Sequence, residues 1–562
     1  MLNFSTASGD RWLSAAEAAR QAGQLGNALQ FYEKALAANP CDARALNGAG
    51  TAAVRAGTAE LNFAISILGK AVAACATVEA CRQLGTCHYR AGRLDLALPQ
   101  LQRALDLGGH ADVVLLDLLG IVLMRRGEPA LAAEHFQKAI AIKPDVALYT
   151  NLGAALMELG RYQDAHDASR QALDLAPSDL TARHNLAKTL VKLERPGEAA
   201  SELEIAITLQ PLNADVWCTL GVARGAAGDG CGAIAALQRA QEIRPTVRAQ
   251  SQLLFGMHEA GRDPLQILAE ARKWDAIYGE PPPLPLAVEP RGNRPLRVGY
   301  LSGDLCKHPV ATFFAPLLQA HHRDAVDVCC YAHVPRPDRM TEWLRSLSPR
   351  WCDISRMDDA SAAAAIAADR IDVLVDLEGH CSGNRLGIVA RRPAPVRITY
   401  LGYPGTTGLK AIGHRLTGML LDPPGETEQF CSEKLLRVDG PFAVYGVPDT
   451  APPIGPLPLE KSGRCRFASF AARGKVSEPV LHAWAKILGR VEGSRLDIYA
   501  FNRAEESHLR DIFALHGVSL DRVRLHGRLQ IQNYFAAHNE VDIQLDTFPL
   551  SGHTVICHGL WM

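Results

Sequence analysis

The sequence predicts a solenoid of paired helices followed by an α/β region of two doubly wound lobes. Three observations predict it. Prolines close similar segments at Pro144, Pro177, Pro211 and Pro245, at spacings of 33, 34 and 34 residues. A leucine followed by a small residue recurs at Leu84-Gly85, Leu119-Gly120, Leu152-Gly153, Leu186-Ala187 and Leu220-Gly221, at spacings of 35, 33, 34 and 34. Beyond residue 295 that period stops, and short apolar runs alternate with helical stretches.

The solenoid comes first along the chain. A period near 34 residues is that of one helical hairpin per repeat. The small residue lets the two helices of a hairpin approach closely. The glycines of Ala91-Gly92-Arg93, Arg126-Gly127-Glu128 and Leu159-Gly160-Arg161-Tyr162 end the first helix, and the prolines stop the second. One hairpin cannot bury its apolar face alone, so the repeats must stack. This is the tetratricopeptide (TPR) pattern, with six or seven repeats over residues 12–246, the first two (15–42 and 43–76) looser than the rest. Such an array is a superhelix with a concave groove.

The joint, residues 247–294, follows. LQILAEARKWDAIYGE within 260–279 predicts one amphipathic helix. Pro281-Pro282-Pro283-Leu284-Pro285 predicts a stiff extended segment, and a domain boundary falls near residue 290.

The first lobe, residues 295–455, begins with strands at LRVGYLSGD (296–304), VDVCCYAH (326–333), IDVLVDLEGH (371–380) and VRITYLGYPG (396–405), with a helix over SAAAAIAADR (361–370). This alternation predicts a parallel sheet with ligands at the carboxyl ends of its strands. Polar segments fall at those ends: Asp304 to His308-Pro309, Asp376 to His380, and Gly402 to Gly408. The second lobe, 464–562, has strands at CRFASF (465–470), SRLDIYAF (494–501) and DRVRLHGR (521–528), and VDIQLDTFPLSGHT (541–554) is a strand leading into a Gly-containing loop. A helix runs through SEPVLHAWAKILGRV (477–491), and ICHGLWM (556–562) opens another.

Five segments carry a resemblance, in order: GDLCKHPV (303–310), DLEGHCSGNR (376–385), RPAPVRITYLGYPGTTG (392–408), LLDPPGETEQFCSEKLLR (420–437) and LDTFPLSGHT (545–554). With the repeats upstream, the chain resembles the protein O-GlcNAc transferases, the SPINDLY-like proteins included, from about residue 15 to 562. The resemblance implies a GT-B fold, two facing Rossmann-like lobes with a nucleotide sugar in the cleft. It also implies inverting, metal-independent transfer of N-acetylglucosamine from UDP-GlcNAc to Ser and Thr hydroxyls of proteins. No cofactor is expected beyond that donor, and no metal ligand set. A SPINDLY-type O-fucosyltransferase using GDP-fucose and a non-catalytic TPR adaptor are the alternatives.

Residue roles follow from chemistry and resemblance together. His308 sits between a strand end and a proline; an imidazole there can accept a hydroxyl proton, or it can simply position the turn. Lys475, before a helix, suits a pyrophosphate whose charge grows as it leaves; the plain reading is a solvated loop lysine. His553 and Thr554 would donate to phosphate or sugar oxygens at a helix start. The resemblance places His558 near the ribose and Tyr534 beside the base. Gly402, Pro404 and Gly405 shape a sugar pocket or serve the turn alone. His380 is expected to end a strand facing the cleft. In the resembled enzymes an asparagine ladder lines the groove and grips the substrate backbone. The matching positions read Asn47, Gln83, Leu118, Asn151, Asn185 and Thr219, so Asn47, Asn151 and Asn185 are either peptide-gripping or merely solvated.

Some positions depart from the family pattern. Ala471-Ala472 stands where Asn or Gln is usual, Gly413 and Gly418 where acids are common, and Val555 where Thr is frequent. The family continues beyond the point matching Met562 with another strand, an Arg-containing loop and closing helices, so the second lobe is expected to be truncated.

Bulk composition bounds the partners. With 48% apolar and 21% charged residues and a net charge of -1, nothing in the overall field favours nucleic acid or an anionic membrane. The N-terminus lacks a basic segment followed by an apolar core, and no apolar run approaches the ~20 residues of a membrane span. The partners that the resemblance implies are proteins or peptides held in the groove, together with a UDP-sugar. The fourteen scattered cysteines fit buried or free thiols in a reducing cytoplasm better than a disulfide frame.

Overall fold

The computed structural model describes residues 3–55, 57–279, 281–286, 292–447, 451–499 and 506–562. They fall into two compact units, Met1–Leu209 and Gln210–Met562. The first unit holds six hairpins: α1 (Asn3–Gln21) with α2 (Leu25–Ala38), α3 (Ala43–Arg55) with α4 (Thr58–Ala74), α5 (Val78–Arg90) with α6 (Leu94–Asp106), α7 (Val113–Arg125) with α8 (Pro129–Ile142), α9 (Val146–Glu158) with α10 (Tyr162–Leu175), and α11 (Leu180–Lys192) with α12 (Pro196–Leu209). The second unit opens with a seventh, α13 (Ala214–Ala226) with α14 (Gly230–Ile243), and continues through α15 (Val247–Glu259), α16 (Pro264–Ala271) and α17 (Lys273–Tyr278).

The punctuation works as the spacing implies. α8, α10, α12 and α14 each end two residues before Pro144, Pro177, Pro211 and Pro245. Gly92, Gly127, Gly160 and Gly228 hold φ of 72, 76, 73 and 84°, the left-handed turn between the helices of a hairpin. In the sixth hairpin Glu194 takes φ 60° at that place. Gly120 and Gly221 leave the room that Phe136 and Leu237 fill from the second helix of their hairpins.

Two expectations are corrected. The single helix over 260–279 is two. Gly261 turns the chain at φ 63°, Asp263 caps α16 by accepting from the backbone N–H groups of Leu265 and Gln266, and a break at Arg272 lets Trp274 bury itself, stacked at 4.7 Å on Tyr278. The cysteines are not all thiols. Cys41 and Cys75 form a disulfide with Cα atoms 5.9 Å apart. They lie 34 residues apart, one repeat period, so both stand just past the second helix of successive hairpins.

The α/β region of the second unit has two parallel sheets. The first lobe runs β1 (Leu296–Ser302), α18 (Pro309–Ala320), β2 (Val326–Ala332), α19 (Arg339–Leu347), β3 (Arg350–Asp353), α20 (Asp359–Ala368), β4 (Val373–Asp376), α21 (Leu386–Ala390), β5 (Val396–Thr399), β6 (His414–Gly418) and β7 (Lys434–Val438). Its strand order is β3-β2-β1-β4-β5-β6-β7. After α22 (Pro458–Ser462) the second lobe runs β8 (Arg466–Ser469), α23 (Glu478–Arg490), β9 (Arg495–Tyr499), α24 (Glu506–Leu515), β10 (Val523–His526), α25 (Ile531–His538), β11 (Ile543–Gln544) and α26 (His553–Trp561), with order β10-β9-β8-β11. The end of the strand expected over 494–501 falls on residues 500–501, outside the described residues.

Helices cover both faces of the first sheet, so its central strands are apolar on both sides. Tyr300, Val328 and Cys330 pack toward Phe314 of α18, whereas Leu301, Tyr331 and Leu374 pack toward Ile366 of α20. Each sheet reverses its winding beside its first strand, at β1/β4 and at β8/β11. Those reversals open a crevice at the carboxyl ends of the strands.

Candidate functional site

At the second-lobe reversal two loops converge. One leaves β8 and carries Lys475 on a single 3-10 turn, Arg473–Lys475. The other leaves β11 and runs through Ser551 into α26. Lys475 Nζ donates to the Ser551 carbonyl oxygen at 2.9 Å. Asp546 shapes that second loop, accepting from the Ser551 hydroxyl at 2.5 Å and the Gly552 N–H at 3.0 Å. No side chain caps α26 at Gly552, so its first N–H groups, from His553 onward, face outward at the positive end of the helix. Burial pulls the Lys475 pKa down, while Glu259 and Asp546 pull it back up. Burial and the Lys475 charge hold the His553 ring below its ordinary value.

Beside these two loops stands the first lobe. His308 is the N-cap of α18, with Nδ1 3.4 Å from the Val310 N–H and 3.4 Å from Asp304 Oδ2. Its side chain keeps 41% of its surface open. Burial lowers its pKa, with Glu378 opposing. Asp304 is pushed up to about 7 by burial and then by Glu378. Further along α18, the Phe313 ring stacks on His553 at 4.4 Å and 5°, which sets the helix that His308 caps against the start of α26. Tyr534 and His558 also meet, Oη to Nδ1 at 2.9 Å, beside Phe470 and Tyr445. Thr554 is half-buried in the first turn of α26.

Other expected residues lie elsewhere. His380 does not face the cleft; it is fully buried. Its Nε2 is 2.7 Å from the Thr407 carbonyl oxygen and so donates, which leaves Nδ1 to accept from the Ser251 hydroxyl of α15 at 3.0 Å. Its task is to fasten α15 to the lobe. Gly405 is buried where a side chain would overlap His258 of α15, and Gly402 is half-buried where one would overlap the Leu377 carbonyl oxygen. Pro404 is exposed, its carbonyl held by Arg415 at 3.1 Å. In the first unit Asn47 Oδ1 accepts from Gln83 at 3.1 Å and Asn151 donates to Asp117 at 2.9 Å, so two rungs of the asparagine series bridge adjacent repeats. Asn185 is half-buried on α11.

Residues that the sequence did not single out complete the site: Asp546, Ser551, Phe313 and Glu259; Asp304, expected only as the start of a polar segment, joins them beside His308. Asp546 lies inside the LDTFPLSGHT segment and was within reach of a motif reading. Glu259 lies 216 residues before Lys475 and carries no local signal. Among the described residues no three His, Cys, Asp or Glu side chains are grouped to hold a metal ion, and no helix is long and apolar enough to cross a membrane.

Comparison with known proteins agrees with this architecture. The model of glycosyl transferase family 41 matches residues 281–446, and tetratricopeptide repeat models match 10–40, 72–145, 118–180 and 156–217. A point mutant of the Thermobaculum terrenum O-GlcNAc transferase superposes with a TM-score of 0.69 at 33% identity, over 74% of this chain and 81% of that one. A rice protein named as a probable UDP-N-acetylglucosamine–peptide N-acetylglucosaminyltransferase SPINDLY is 35% identical over 279 residues, 48% of this chain and 30% of its own length. An Arabidopsis thaliana protein of the same description, SEC, is 30% identical over 322 residues, 53% of this chain and 32% of its own. The chain thus spans about a third of the length of these curated relatives. By its repeats, the family match over its first lobe and the superposition on a solved O-GlcNAc transferase, the chain belongs to glycosyl transferase family 41.

Proposed function

We propose that this chain transfers N-acetylglucosamine from UDP-GlcNAc to Ser and Thr hydroxyls of polypeptides, with inversion and without a metal ion. The observation that carries the reading is Lys475 Nζ, held at the Ser551 carbonyl beside the uncapped start of α26. Donor cleavage leaves a diphosphate whose charge grows through the transition state, and a fixed ammonium with free helix N–H groups offsets that charge at low reorganisation cost. The names of the relatives support the choice of sugar.

On the other side of the sugar, the acceptor hydroxyl attacks the anomeric carbon opposite the departing diphosphate and must lose a proton. His308 serves in one of its two tautomers. When Nδ1 accepts from the Val310 N–H, the neutral ring carries its proton on Nε2 and cannot act as a base. When Asp304 is ionised and takes the Nδ1 proton as a hydrogen bond, Nε2 is free to accept. Tyr534 and His558 would flank the nucleoside, and the repeats would carry the polypeptide.

The test is nucleotide diphosphate release with UDP-GlcNAc and with GDP-fucose, alongside mass analysis of an acceptor polypeptide. UDP release with a 203 Da gain on the acceptor (the mass of one N-acetylhexosamine residue, about 203 by its formula) is expected. Lys475→Ala should lower turnover by about 10²–10³-fold without unfolding the chain. Turnover of GDP-fucose alone would move the sugar assignment to fucose. No turnover of either by the folded chain would leave a binding scaffold.

A further inference from the structure

We propose that Glu259, the last residue of α15, is a positioning residue for Lys475, and that binding of a diphosphate drives a proton onto it. The proposal rests on reading Lys475 as the diphosphate-facing cation.

The geometry begins with a surface that has no room for side chains. The end of α13 at Gly225, the turn at Gly228 and the turn at Gly261 lie against the two loops of the second-lobe reversal. A Cβ on Gly474 would stand 2.9 Å from the Gly225 carbonyl oxygen, and one on Gly261 would stand 2.6 Å from the Pro549 ring. The Arg473 guanidinium covers Gly228. The Glu259 carboxylate sits inside this contact. Oε1 lies 3.7 Å from the Cβ position of Gly474, and Oε2 lies 3.9 Å from that of Gly225. The last hairpin and α15 therefore brace the loop that carries Lys475, with a carboxylate at the point of contact.

Electrostatics gives that carboxylate a role beyond bracing. Burial pushes Glu259 up to about 7, and Lys475 is the cation that opposes the rise. Lys475 in turn feels the charge of both Glu259 and Asp546, which oppose the fall that burial imposes on it. The other charged or titratable groups near the pair are Arg473 on the lysine loop, His553 on α26, and His258 and Arg262 on either side of Glu259 in the chain. A diphosphate arriving at Lys475 adds two or more negative charges beside the two carboxylates, Glu259 and Asp546, that the lysine already faces. Asp546 is tied down by the Ser551 and Gly552 donors. Glu259, already close to half-protonated at neutral pH, is the group that relieves the excess by taking a proton from solvent.

Calorimetric titration of the whole chain with UDP at pH 8.0, in HEPES and in Tris, measures the protons exchanged. Net uptake of a sizeable fraction of one proton per UDP is expected. The terminal phosphate of UDP titrates near pH 6, and any loss of its proton on binding would appear as release, the opposite sign. Glu259→Gln should remove most of that uptake, leaving what His553 contributes, and should tighten UDP binding on the order of tenfold at pH 8.5, where the wild-type carboxylate is charged. Glu259→Asp, which keeps the charge, should restore the uptake and serves as the second variant where Gln impairs folding. UDP binding with no uptake in the wild type, or with equal uptake in Glu259→Gln, would overturn the proposal while leaving the lysine assignment intact. UDP affinity unchanged in Lys475→Ala would instead remove the assignment on which both stand.

Discussion

Gly402 and Gly413 are both glycines of the first lobe, and they predict opposite outcomes. A methyl group on Gly402 would overlap the Leu377 carbonyl oxygen, a backbone atom that cannot swing aside, whereas nothing lies within 4 Å of a Cβ on exposed Gly413. Gly402→Ala should therefore cost about 3 kcal/mol and lower the unfolding midpoint of the second unit by about 4 °C, while Gly413→Ala stays within about 0.5 kcal/mol of wild type. Parallel melts by circular dichroism decide it, and equal midpoints would show that the 400–408 segment yields. The same comparison shows what a sequence can and cannot say about single residues. The run GYPGTTG announces a backbone under close approach. It does not say that the approaching groups are Leu377 and, for Gly405, His258 of a helix over 140 residues upstream. His380 misled for the same reason: a histidine at a strand end reads as cleft-facing until α15 is seen to cover it.

At the scale of elements, the joint between α15 and the first lobe is a titratable fastening. His380 accepts from Ser251 and donates to the Thr407 carbonyl, and burial pulls its pKa down to about 4. In the unfolded chain a histidine titrates near 6.5. Between those values the unfolded state binds a proton that the folded state refuses, so the His380 contribution is full above about pH 6.5 and is lost as the pH falls toward 4. Asp304 and Asp376, both pushed up to about 7 by burial, act with the opposite sign over roughly the same window. The total curve is therefore uninformative, and the comparison of variants isolates the effect. The midpoint difference between wild type and His380→Gln should be widest at pH 7.5 and shrink at pH 5. A constant difference would mean that the ring is not held neutral. Most elements were legible because their patterns are local. The repeat period marked the stops of α8, α10, α12 and α14, and the central strands are continuous apolar runs. β3 (RWCD), β6 (HRLTG) and β7 (KLLRV) were not, since strands near or at a sheet edge carry Arg, Lys and His and need no apolar run.

Over the whole molecule, the site is assembled from parts that local reading sees one at a time. Lys475 and His553 were visible because each precedes a helix start, and His308 because a proline follows it. Their convergence depends on the winding of two sheets, and the carboxylate behind the lysine comes from the helical end of the second unit. The two lobes meet through rings: Phe313 of α18 lies flat on His553 of α26, and Tyr445, late in the first lobe, meets His558 edge-on at 5.6 Å. If His553 donates to the diphosphate, its ring plane is set by Phe313 across the cleft, and replacing that ring without emptying its space should be felt in donor binding. Phe313→Leu keeps most of the buried volume and loses the stack, a contact worth about 0.5–1.5 kcal/mol. It should weaken UDP binding by roughly 2–10-fold with a small change in melting midpoint. Calorimetric titration of the variant measures this directly. Unchanged affinity would show that the Asp546-braced loop orients His553 alone, and that the first lobe contributes to the acceptor side of the reaction but not to the donor side.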